Sequence, residues 1–166
     1  MEHTLKDGRR IRVRPIRPDD KAALSAGLVE LSDLSVQRRF LSPKSSLSRS
    51  ELRYLTEVDG HDHVAFVAET PGGHLVGVGR WVRLADDRST GEAAIVVADP
   101  LQGLGLGSLL ADLLAREAVR HGLRRFTATM LSDNLPAHRL MARLDTHLER
   151  RQVGSGAEEM VAHLAA

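Results

Sequence analysis

From Glu92 to Gly122 the chain reads EAAIVVADPLQGLGLGSLLADLLAREAVRHG: an apolar run, a glycine turn and an amphipathic run in direct succession. Glu92 to Ala98 is almost wholly apolar and partly β-branched, which predicts a strand buried on both faces. Pro100 cannot donate a ladder hydrogen bond and drives Asp99 toward extended backbone, so the strand must hand over to a turn there. Within Gln102 to Ser108 the residues Gly103, Gly105 and Gly107 alternate, which lets the main chain take positive φ values and approach a ligand closely. Leu109, Leu110, Leu113, Leu114 and Ala118 then recur at helical spacing, and Gly122 is the expected stop. The first turn of a helix carries N–H groups without partners and the positive end of the macrodipole. A glycine turn at that point predicts a site for the oxygens of a diphosphate.

Spacing separates the folds that use such a turn. A P-loop requires Lys followed by Ser or Thr after its second glycine, and the residues around Gly107 lack that pair. A dinucleotide fingerprint requires G-x-G-x-x-G, whereas the glycines here run G-x-G-x-G behind a proline-containing link. The pattern that does fit is Gln-x-x-Gly-x-Gly between an apolar strand and a helix, with Asn134 near the start of the next helix. It resembles the acyl-CoA-binding signature of the GNAT acetyltransferase superfamily. The run from Arg38 to Glu69 and the opening RVRPIRPDD, Arg12 to Asp20, look like the GNAT domains of bacterial Pat-type protein-lysine acetyltransferases. The similarity extends from about Arg10 to about Leu144.

That resemblance implies an enzyme with acetyl-CoA as co-substrate and no metal, transferring the acetyl group to a primary amine such as a protein lysine or a small amine. Gly103, Leu104, Gly105, Leu106, Gly107 and Ser108 would bind the pyrophosphate through N–H groups, with Gln102 as part of the same signature. Asn134 would bond the pantetheine arm, or else simply cap its helix. The Val97 N–H would polarise the thioester carbonyl. An alkylammonium has no lone pair, so the amine must lose a proton before it attacks. Glu92, at the start of the strand, matches the glutamate assigned to that role in Pat-type enzymes; Asp59, His61 and Glu69 are weaker substitutes. Two positions depart from the family pattern. Met141 stands where many members place a tyrosine general acid, and Leu144-Asp145-Thr146 replaces the usual Leu-Gly-Phe. A non-catalytic acyl-CoA sensor or interaction module is the alternative.

Composition narrows the remaining classes. With 23 basic and 22 acidic residues the net charge is +1, too balanced for the broad basic footprint of a nucleic-acid binder. Basic residues do cluster, in Arg9, Arg10, Arg12, Arg14 and Arg17 and in Arg38, Arg39, Lys44, Arg49 and Arg53, and the expectation is a solvated strand edge and helix face. His61 and His63 would share a face if both lay on a strand, but nothing nearby completes a metal-ligand set. The chain has no cysteine, no apolar signal core and no segment of membrane-spanning length, so a cytoplasmic protein without membrane partners is expected.

The length of 166 residues suits one domain, taken as residues 10–166 behind a short extension, residues 1–9. Alternation predicts a strand over Arg10 to Ile16; the apolar run Val64 to Ala68 reads as the next, and after the turn Pro71-Gly72-Gly73 the run His74 to Leu84 reads as its hairpin partner, with Gly77 and Gly79 weakening or bulging it. Helices are expected over Ala22 to Leu31, Ser35 to Leu41 and Arg49 to Glu57. After the long helix, Phe126, Ala128 and Met130 read as a strand. Ser132 or Asp133 would cap the helix carrying Ala137, Leu140, Met141 and Leu144, and a final hairpin turns at Gly154-Ser155-Gly156. The fold class is α+β: a mixed, mostly antiparallel central sheet flanked by helices, in the GNAT arrangement.

Overall fold

The computed structural model describes residues 1–165. Its strands are β1 (Glu2–Thr4), β2 (Arg10–Pro15), β3 (His63–Glu69), β4 (Leu75–Arg83), β5 (Thr90–Val97), β6 (Arg125–Leu131), β7 (Glu149–Gly154) and β8 (Ala157–His163). Its helices are α1 (Lys21–Glu30), α2 (Asp33–Phe40), α3 (Arg49–Thr56), α4 (Leu106–Arg120) and α5 (Leu135–Leu144). The strands form one sheet in the order β1-β2-β3-β4-β5-β6-β8-β7. Among the described residues only β5 and β6 pair in parallel, as the helical crossover α4 between them requires. The mixed, mostly antiparallel sheet is the expected architecture.

Register fixes which residues face which helices, because directly paired residues share a face. In β4 and β5, Arg80 lies opposite Ala94 and Val82 opposite Glu92. On β3, His63 lies opposite Val82 and Ala65 opposite Arg80. Glu92, Arg80 and His63 therefore share one face. The intervening residues Gly77, Gly79 and Trp81 face α4. Trp81, 0% exposed, anchors that side in a cluster with Leu114, Phe126, Met141 and Met160.

The two strand glycines have a packing reason. A Cβ on Gly79 would sit 3.0 Å from Leu114 Cδ1, and one on Gly77 would sit 3.2 Å from Leu106 Cδ2. Bare backbone there lets α4 lie close to the sheet. The expected irregularity also occurs: the β3–β4 register shifts between Ala68 with Gly77 and Glu69 with Leu75, so Val76 is the extra residue.

Three expectations need correction. Residues 1–9 are not an extension outside the domain: β1 pairs with β2, and Leu5 is buried in a core cluster with Ile11, Leu101 and Leu106. His61 lies in the bend before β3, bonded to Asp62, so it shares no strand face with His63. Asn134, rather than Ser132 or Asp133, caps α5, its Oδ1 accepting from Ala137 N–H at 3.3 Å. Where the family pattern has a helix-ending glycine, Asp145 closes α5 differently. Its carboxylate accepts from the N–H groups of His147 and His163, both at 2.8 Å, tying the helix end to β8.

Candidate active site

The β5–β6 ladder pairs Thr90 with Arg125, Gly91 with Phe126 and Glu92 with Thr127, and goes no further. Beyond Glu92 the two strands part. This is why Ala93 to Ala98, predicted to be buried on both faces, are only half-buried: one side of the strand has lost its neighbour. The gap opens between β5, β6, α4 and α5 and is lined by Ile95, Phe126, Ala128, Leu140 and Met141 among others. It continues into a cleft of about 370 Å³ at the end of β5.

Gln102, Gly103, Gly105, Gly107, Ser108, Val97 and Asn134 all line that cleft, so residues singled out separately in the sequence come together in space. The three glycines are not equivalent. Gly103 has φ +76° and Gly105 φ +96°, conformations that disfavour a side chain, but Gly107 has ordinary helical backbone inside α4. The helix starts earlier than expected, at Leu106, with Leu109 N–H bonded to the Gly105 carbonyl at 3.0 Å. The N–H groups of Leu106, Gly107 and Ser108 thus precede the first intrahelical bond. Leu104 and Leu106 contribute only backbone here, because their side chains pack into the core.

Gln102 has a bracing role that its place in the motif does not reveal. Its Nε2 donates to the Val97 carbonyl at 3.0 Å and to Ser35 Oγ at 3.1 Å, joining the glycine turn to β5 and α2. Asp99 adds a second tie, accepting from Ser32 N–H at 3.0 Å and from the hydroxyls of Ser32 and Ser35, both at 2.7 Å. Ser32 is the N-cap of α2, so these bonds set that helix against the cleft. The Ala98 N–H bonds to Val76 on β4 at 2.9 Å. Successive strand N–H groups point to opposite sides, so the Val97 N–H points away from β4 and toward the gap.

Glu92 sits at the other end of β5 and is exposed. The β4–β5 register is unbroken from Gly91 to Val97, so five strand residues, about 17 Å, separate Glu92 from Val97. A glutamate side chain does not span that distance. Asp59 and Glu69 are committed elsewhere. Asp59 accepts from the N–H groups of His61, Asp62 and His63. Glu69 is buried in ion pairs with Arg12 and Arg14, and the same Arg14 also pairs with Asp20 at 2.8 Å. Arg12 and Arg14 are thus partners of buried carboxylates rather than a plain solvated edge.

The charge of the cleft was not foreseen. Lys6, Arg38, Arg39 and Arg139 line it, and no carboxylate among the described residues does. Lys6 arrives from the β1–β2 turn, its N–H bonded to the Leu104 carbonyl at 3.2 Å and its side chain beside Gly105. Four cations around a set of free helix N–H groups make a strong anion site despite a net charge of +1. Met141, 4% exposed, packs in the core between Phe126 and α4 while also lining the gap.

Residues 30–145 match the model of the acetyltransferase (GNAT) family. The chain is 34% identical over 151 residues to the acetyltransferase Pat of Mycolicibacterium smegmatis, covering 90% of this chain and 45% of that protein. It therefore spans less than half of that relative's length. Acetyltransferase PA5475 of Pseudomonas aeruginosa is 33% identical over 141 residues, with 83% and 73% covered. The solved GNAT domain of S. lividans PAT superposes with a TM-score of 0.88 at 29% identity, covering 99% of this chain and 96% of that one. The structure of yncA from Salmonella typhimurium with its cofactor acetyl-CoA shares the fold, with a TM-score of 0.71 at 21% identity over 93% and 92% of the two chains. By sequence and by fold, the chain belongs to the GNAT acetyltransferase family.

Proposed function

We propose that this chain transfers the acetyl group of acetyl-CoA to a primary amine, either on a small molecule or on a protein lysine. The observation that carries the reading is the cleft where β5 and β6 part, with Val97, the Gln102–Ser108 turn, Asn134 and four cations around it. The diphosphate lies on the N–H groups of Gly103 to Ser108, with Lys6 beside it. The pantetheine arm fills the gap, and Asn134, whose oxygen is spent on the helix cap, offers its Nδ2 to it. The thioester oxygen accepts from the Val97 N–H.

The amine nitrogen then bonds to the thioester carbon and the C–S bond breaks. One proton leaves the amine for a base, and the CoA thiolate takes up a proton from solvent. Glu92 is the base in this reading. Given its distance from Val97 along β5, it receives the proton through water rather than directly. With Met141 in the core, no side chain of the tyrosine type supplies the proton to sulfur. The cysteine-free composition goes with a cytoplasmic setting for this reaction.

The test is calorimetric binding of acetyl-CoA and CoA together with free-thiol release in the presence of amines and lysine peptides, for the wild type and Glu92→Gln. The reading expects binding by both and turnover that falls at least tenfold in the variant. Tight binding without turnover under any acceptor would identify a sensor, and no binding would remove the diphosphate assignment.

A further inference from the structure

On the other side of β5 from the acyl-CoA gap lies a second cavity, of about 70 Å³, under α1, α2 and the loop before α3. Its walls are apolar, including Leu24, Leu28, Leu55 and Val96, and no carboxylate among the described residues lines it. Two arginines do. Arg80, on β4, is 5% exposed; its Nη1 donates to the Leu55 carbonyl at 3.0 Å and to His63 Nε2 at 2.9 Å. Its Nε and Nη2 make no hydrogen bond among the described residues, and the side chain lines the cavity. Arg39, on α2, is half-buried, forms no hydrogen bond or ion pair among the described residues and lies 4.9 Å over the Phe40 ring. Arg39 also lines the acyl-CoA cleft, so it stands where the two cavities meet.

A buried guanidinium without an anion costs several kcal/mol. The same molecule shows what a purely structural arginine receives: Arg14 is held by both Asp20 and Glu69. The Arg39–Arg80 pair receives neither. The one imidazole in contact cannot help, because an arginine has no acceptor and His63 Nε2 must therefore accept, which keeps the ring neutral. Burial and Arg80 together push the His63 pKa down to about 4, and burial and Arg39 push Arg80 down to about 10. Glu92 shares this face of the sheet and its charge partly offsets the burial of Arg39, but no ion pair among the described residues joins it to either arginine.

We infer that Arg39 and Arg80 form a subsite for the carboxylate of a reactant, so that the amine acceptor is an amino acid or another small amine bearing a carboxylate. This rests on the transferase reading given above. A carboxylate is planar and takes two guanidinium N–H bonds at once, which satisfies the donors left free on Arg80. The spacing agrees. Ala94, opposite Arg80, is three residues from Val97, about 10 Å along the strand, so a carboxylate on Arg80 and an amine at the thioester belong to one short molecule. The same chemistry can arrive on the donor, as the carboxylate of a dicarboxylic acyl group, and the test separates the two.

Thiol release is measured with matched acceptors that differ only in the carboxylate, lysine against 1,5-diaminopentane and 4-aminobutyrate against butylamine, using acetyl-CoA and then succinyl-CoA. In parallel, 4-aminobutyrate and glutarate are titrated by calorimetry into the protein saturated with CoA. The expected result is a kcat/KM at least tenfold higher for the carboxylate-bearing acceptors with acetyl-CoA. In Arg80→Gln and in Arg39→Gln that ratio falls toward one, and carboxylate binding to the CoA-loaded protein is lost. Arg39 has no hydrogen-bond or ion-pair partner among the described residues to lose, only its contact with the Phe40 ring, so its variant keeps the fold even where Arg80→Gln does not. Turnover without carboxylate preference overturns the subsite and leaves the transferase standing. Carboxylate binding without turnover keeps the subsite and overturns the transferase. Arginine-dependent preference for succinyl-CoA over acetyl-CoA overturns the assignment to the acceptor and gives the carboxylate to the acyl group.

Discussion

Alanine at each glycine of the Gln102–Ser108 turn provides a sharp test, because the three positions look alike in sequence and differ in structure. Gly105 has φ +96°, where an alanine Cβ crowds its own backbone at a cost of about 1–2 kcal/mol. The lower entropy of the unfolded alanine chain adds to stability by about 0.4–1 kcal/mol, leaving Gly105→Ala destabilised by about 1 kcal/mol. In a domain of this length that lowers Tm by about 2–4 °C. Gly103, at φ +76° with open space around it, behaves in the same way. Gly107 has helical backbone, and its added Cβ would meet Leu140 Cδ1 at an ordinary 3.5 Å. Replacing a helical glycine by alanine gains about 0.5–1 kcal/mol, so Gly107→Ala raises Tm by about 1–3 °C. The same methyl group projects from a residue lining the cleft and holds the diphosphate away from the N–H groups, so affinity for acetyl-CoA falls at least tenfold. Thermal melts and calorimetry on the three variants separate the two effects. A Gly103→Ala or Gly105→Ala protein as stable as wild type would refute backbone strain at those positions, and a Gly107→Ala protein that melts lower, or that binds acetyl-CoA unchanged, would refute the unstrained backbone or the ligand approach at Gly107.

Asp99→Ala removes the acceptor for Ser32 and Ser35, which lowers stability by about 1–3 kcal/mol and loosens α2; denaturant titration should show the loss, and weaker acetyl-CoA binding should accompany it because α2 carries Arg38 and Arg39. Lys6→Ala should weaken acetyl-CoA binding by about 3- to 10-fold at low ionic strength and less in high salt, and a salt-independent Kd ratio would remove Lys6 from the phosphate site. His63 has a folded pKa of about 4 against an ordinary 6.5, so the unfolded chain binds more protons between those values. Stability from this residue is therefore intact above pH 6.5 and falls as pH drops toward 4, by about 2 kcal/mol after allowance for solvent screening. Urea midpoints of the wild type should decline over that window more steeply than those of His63→Gln, and parallel curves would contradict the neutral buried imidazole.

The sequence by itself determined the order and type of the main elements, the glycine turn and the family. Those features rest on local rules: alternation in β2 and β6, helical spacing from Leu106 to Ala118, and the glycine needed at Gly103 and Gly105. That Gln102, the glycine turn, Val97 and Asn134 line one cleft was legible because the signature is nearly contiguous. Features that depend on residues distant along the chain were not. The strand from Glu92 to Ala98 looked doubly buried, because an apolar run carries no sign of whether a neighbouring strand stays beside it. Tertiary structure alone decided that β6 departs after Thr127 and opens the gap. It alone drew residues 1–9 into the sheet and set Lys6 beside Gly105. The arginines show the limit most plainly. Arg14, Arg39 and Arg80 are indistinguishable as letters, yet pairing and burial give Arg14 the carboxylates of Asp20 and Glu69 and leave Arg39 and Arg80 lining an apolar cavity. The energy of a charge is set by what surrounds it in space, and that is fixed only when the chain has folded.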